Sequence, residues 1–108
     1  MEEDDELFRD LLRTVQAHCI DEHIVSSATV RWVLGPERLG ERTANPEAIW
    51  NGGPFQTAET RACQEGYLQK WKRKVGRGVG WSPSERDDPG AFLRAQAWAD
   101  RKGWAAIR

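Results

Sequence analysis

Thr57-Ala58-Glu59-Thr60-Arg61-Ala62-Cys63-Gln64-Glu65-Gly66-Tyr67-Leu68-Gln69-Lys70-Trp71-Lys72-Arg73-Lys74-Val75 is the stretch on which the fold turns. Ala58, Ala62, Cys63, Tyr67, Leu68, Trp71 and Val75 recur at helical spacing, so the pattern predicts one helix over about 58–75, capped by Thr57. Gly66 weakens such a helix by roughly 1 kcal/mol relative to Ala. Gly76, Gly78 and Gly80 then make a flexible segment leading to Trp81-Ser82-Pro83.

Working outward, Leu7, Phe8, Leu11, Leu12, Val15 and Cys19 form one helical face and predict a helix over about 5–20. Asp4 or Asp5 can cap it, and the acids around them suit the positive end of its dipole. Ser26 can cap a second helix over Ser27–Leu34, stopped by Gly35 and Pro36. A strand competes there, because Val30, Trp32 and Leu34 alternate with Arg31 and Val33; the cap and the Gly-Pro stop favour the helix. Residues 35–56 read as irregular, with a short helical turn at Pro46–Trp50. Asp88 caps and Pro89 starts a last helix over 90–102, which Gly103 stops. The expected fold is therefore all-α, a single domain over residues 1–108 with about four helices and a long irregular middle loop.

In 108 residues the core is thin, and the six tryptophans supply much of it. Trp is also enriched at binding surfaces. Trp50, Phe55, Trp81 and Trp104 are the candidate partner-binding aromatics. Two cysteines make no disulfide framework, and the acidic start is unlike a signal peptide. No apolar run approaches the roughly 20 residues that span a bilayer. The expectation is a cytoplasmic protein with no membrane contact.

Charge is unevenly spread. Residues 1–22 hold eight acids against Arg9 and Arg13, whereas residues 61–80 hold Arg61, Lys70, Lys72, Arg73, Lys74 and Arg77 against Glu65. Cations at a helix end suit its dipole, which accounts for Lys72, Arg73 and Lys74 without any ligand. It does not account for Arg77 or the Gly-x-Gly-x-Gly-Trp tail. Lys70, Lys72, Arg73, Lys74 and Arg77, interleaved with tryptophan and glycine, suit phosphate neutralisation and base stacking.

Val25-Ser26-Ser27-Ala28-Thr29-Val30-Arg31-Trp32-Val33-Leu34 resembles the turn and recognition helix of helix-turn-helix proteins of the lactose-repressor family. That ten-residue resemblance implies DNA contact by Ser27, Ala28, Thr29 and Arg31. His18, Cys19, His23 and Cys63 lack metal-site spacing, and neither histidine sits in a catalytic constellation. The sequence thus reads as non-enzymatic, without cofactor or metal. Two readings stay open: a small module binding DNA or another polyanion, and a protein-interaction module (inhibitor, adaptor or self-associating subunit) using acidic and Trp-rich surfaces.

Overall fold

The computed structural model describes residues 2–35 and 53–107. Helix α1 (Glu2–Glu22) leads into a short strand β1 (Val25–Ser26) and helix α2 (Ser27–Leu34). Helix α3 (Gly53–Gln64) is followed by strands β2 (Leu68–Arg73) and β3 (Val79–Pro83), helix α4 (Pro89–Lys102) and strand β4 (Trp104–Ile107). The four strands form one antiparallel sheet in the order β1-β3-β2-β4. The fold is α+β, which corrects the all-α expectation.

The correction comes from residues 65–83. Helix α3 stops at Gly66, whose φ of 80° is left-handed. The Tyr67 N–H bonds to the Ala62 carbonyl at 2.9 Å and the Gly66 N–H to the Cys63 carbonyl at 3.2 Å. This pair of bonds is the Schellman arrangement, in which a glycine just past a helix turns the chain away. Residues 68–73 are consequently a strand instead of the second half of a helix. Leu68 and Trp71 are both buried although they lie on opposite faces of β2. Their three-residue spacing imitates a helical stripe because the sheet is covered on both sides. Val75, expected in that stripe, is 87% exposed in the β2–β3 turn.

One face of the sheet carries Leu68 and Trp81, packed with Leu11 and Val15 of α1, Val30 and Leu34 of α2, and Phe55, Ala58 and Ala62 of α3. The other carries Trp71 and Trp104, packed with Ala95 and Ala99 of α4 and with Ile24. The Trp71 indole N–H donates to Ser82 Oγ across the hairpin at 2.9 Å. Trp81 is fully buried and meets the Phe55 ring edge-on, with centroids 5.7 Å apart.

Helices α2 and α4 are bounded as expected, whereas α1 begins at Glu2, so Asp4 and Asp5, expected to cap it, lie within its first turns. The Ser26 side chain accepts from the Thr29 N–H at the start of α2, and the Gly35 N–H closes its end on the Arg31 carbonyl. Asp88 accepts from the Ala91 N–H, Pro89 opens α4, and left-handed Gly103 ends it. Helix α3 begins at Gly53, ahead of the Thr57 cap that was expected. The predicted turn at Pro46–Trp50 lies outside the described residues.

Gly80 pairs with Ser26 of β1 and sits against Ile24 and the β1 backbone. A Cβ there would lie 2.6 Å from Ile24 Cγ2 and 2.9 Å from the Val25 carbonyl oxygen. Backbone cannot yield as a flexible side-chain tip can, so the site is overpacked by a single methyl. Gly80→Ala should destabilise the protein by about 1–3 kcal/mol. Urea denaturation checks this, and an unchanged midpoint would contradict the packing described.

Candidate nucleic-acid interface

The expected cations sit on a hairpin. Between β2 and β3 the chain turns through Gly76, whose φ of 84° favours glycine. The Arg73 N–H closes the turn on the Gly78 carbonyl at 3.0 Å. Lys72, Arg73, Lys74 and Arg77 are exposed there. Strand periodicity divides them. Lys70 lies on the α3 side, where its ammonium meets Glu59 Oε1 at 2.6 Å. Lys72, two residues on, follows it along that side. Arg73 points to the other face and covers the Trp104 ring, 5.2 Å from its centroid.

The Lys70–Glu59 pair ties the hairpin to α3. The outer face of α3 is Gln56, Thr57, Thr60, Arg61 and Gln64, all exposed, lining a shallow concavity with Glu65. These positions are the polar complement of buried Phe55, Ala58, Glu59 and Ala62. Gln56, Thr60 and Gln64 recur every four residues, so they stack along the helix. That periodicity is present in the sequence. A helix that starts at 58 and is defined by its apolar stripe does not display it.

Arg61 is engaged within the protein at this face. Its Nη1 donates to Asp5 Oδ1 of α1 at 2.6 Å and its Nε to Glu65 Oε2 at 3.1 Å. The guanidinium also lies over the Phe8 ring, 4.1 Å from the centroid. The hydrogen bond from Arg61 holds the Asp5 carboxyl below its ordinary pKa, and the same bond raises that of Arg61.

The other expected site residues are placed differently. Ser27, Thr29 and Arg31 are half-buried on α2. The Thr29 hydroxyl donates to Glu22 Oε1 of α1 at 2.9 Å, so it is engaged within the fold. Of the expected partner-binding aromatics, Phe55 and Trp81 are fully buried and Trp104 is 7% exposed. They are core residues, so none of the three is open to a partner; Trp50 lies outside the described residues. Among the described residues the exposed aromatics are Trp32 on α2, at 82%, and Tyr67, at 37%.

Among the described residues no group of three or more His, Cys, Asp or Glu side chains is arranged to hold a metal, and no helix is long and apolar enough to cross a membrane. No family model, curated protein or solved structure matches the chain.

Cys63 lies half-buried beneath the outer face of α3. Burial, reinforced by Glu59, pushes its thiol up to about 11. Burial also raises Cys19. Thiolate is the reactive form, so at pH 8 Cys63 is held almost entirely as the unreactive thiol. Alkylation of the folded protein by iodoacetamide should be far slower than that of free cysteine at pH 8, and should accelerate as pH rises toward 11. Mass spectrometry of timed samples checks this.

Proposed function

We propose that this protein binds duplex DNA, with the outer face of α3 against base edges in the major groove and the hairpin cations against phosphates. The observation that carries the reading is the α3 face itself. Among the described residues its exposed positions are filled by hydrogen-bonding side chains with no apolar member, next to a hairpin that carries Lys72, Lys74 and Arg77. A B-form major groove admits an α-helix; Gln can pair with adenine through two hydrogen bonds, and Thr with any base. An A-form major groove is too deep and narrow for such reading, which favours DNA over double-stranded RNA.

The proposal keeps the DNA-binding class expected from the sequence and moves the reading helix from α2 to α3. Residues 35–52 lie between α2 and α3, more than the short turn of simple helix-turn-helix pairs. A net charge of −1 means that attraction to phosphate is local to the hairpin. The alternative, a protein-interaction module, is favoured by one observation, the exposure of Trp32 beside partly exposed Val33.

Fluorescence anisotropy with short duplexes over a salt series tests the DNA reading. Lys72, Lys74 and Arg77 changed together to Ala should flatten the slope of log K against log salt, by up to about 0.9 for each lost phosphate contact. Gln56→Ala or Gln64→Ala should leave the slope unchanged and reduce discrimination between sequences by about 1–3 kcal/mol. An absence of duplex binding at low salt would overturn the proposal in favour of the protein-partner reading.

A further inference from the structure

Arg61 is the one cation on the outer face of α3 among the described residues, and the fold does not leave it to a ligand. Asp5 reaches it from the first turns of α1, 56 residues away in sequence, while Glu65 takes its Nε from the end of α3. Phe8 backs the guanidinium plane. A guanidinium held in this way cannot present its two-pronged donor edge to a guanine or a phosphate without giving up Asp5. A carboxylate on Nη1 supplies the contact that a phosphate oxygen would otherwise supply. Both side chains of the pair are nearly half exposed, 43% for Arg61 and 49% for Asp5, so water and salt reach it and the pair can open.

We infer that Asp5 is a specificity-determining residue of the α3 interface: it acts as an internal stand-in for phosphate and withholds Arg61 from sequence-independent contact with DNA. This rests on the reading of α3 as the helix that meets DNA. Phosphate contacts strengthen binding to every sequence alike, whereas base-edge contacts discriminate. With Arg61 satisfied inside the protein, recognition by α3 falls to the uncharged Gln56, Thr57, Thr60 and Gln64. The acidic first turns of α1 thereby gain a role beyond capping. The pair also explains why an acidic helix end can lie beside a DNA-binding face: one of its charges is already neutralised there.

The experiment compares Asp5→Asn, Glu6→Gln, Arg61→Ala and the Asp5→Asn/Arg61→Ala double variant with the wild-type chain, using mixed-sequence duplex over a salt series. Far-UV circular dichroism confirms that each variant is folded. Asp5→Asn should bind the mixed duplex more tightly, with the salt slope steeper by about 0.9, the signature of one added phosphate contact. It should also enrich a random duplex pool less sharply than the wild type. The double variant should lose the gain and match Arg61→Ala. Glu6→Gln removes the same charge one residue along α1 and should not reproduce the effect. If wild type binds and Asp5→Asn has the same affinity and slope, the role of Asp5 is overturned while the α3 reading stands. The same holds if Glu6→Gln matches Asp5→Asn, because the effect is then general repulsion. If neither wild type nor Asp5→Asn binds duplex, both readings fall.

Discussion

Trp81, fully buried on β3, ties together segments that lie far apart in the sequence. Its backbone pairs with Val25 of β1 on one side and with Lys70 of β2 on the other, and its ring meets Phe55 of α3. Two strands and a helix distant in sequence are thus fixed at one residue. In a small domain one large aromatic contributes a disproportionate share of the buried apolar surface. The neighbouring position has the opposite requirement. Gly80 must lack a side chain so that Ile24 and the β1 backbone can close against β3. Bulk at 81 and its absence at 80 together set the register of the sheet.

Burial on both sides of that sheet decides where the exposed chemistry lies. Helices α1–α3 cover one face and α4 the other, leaving the far end of the β2–β3 hairpin in solvent. Lys70 anchors the hairpin to α3 through Glu59, a largely buried carboxylate that would be costly without a partner. The polar face of α3 and the cationic hairpin therefore belong to one framework. The proposed interface has its positive charge on the hairpin and its neutral hydrogen-bonding groups on the helix. The Asp5–Arg61 pair maintains that division, drawing on the acidic start of α1.

What the sequence determined by itself was set by local chemistry. The apolar stripe from Leu7 to Cys19 specifies α1. Ser26 and Gly35 bound α2, and Asp88, Pro89 and Gly103 bound α4, because a capping side chain or a left-handed glycine acts on backbone groups within a few residues. Gly66 carried the same kind of information. Its signal was outweighed by the spacing of Leu68, Trp71 and Val75, which fits a helix as well as it fits a strand buried on both faces. Tertiary structure alone decided that 68–73 is a strand, since its partners, 79–83 and 104–107, are non-local and are not announced by its own residues. It also decided which aromatics are core and which, like Trp32, are exposed, for burial depends on what the rest of the chain lays over a residue. The candidate site divides in the same way: the cations were legible as a charge run, but their union with Gln56, Thr60 and Gln64, and the capture of Arg61 by Asp5, required segments far apart in sequence to be packed together.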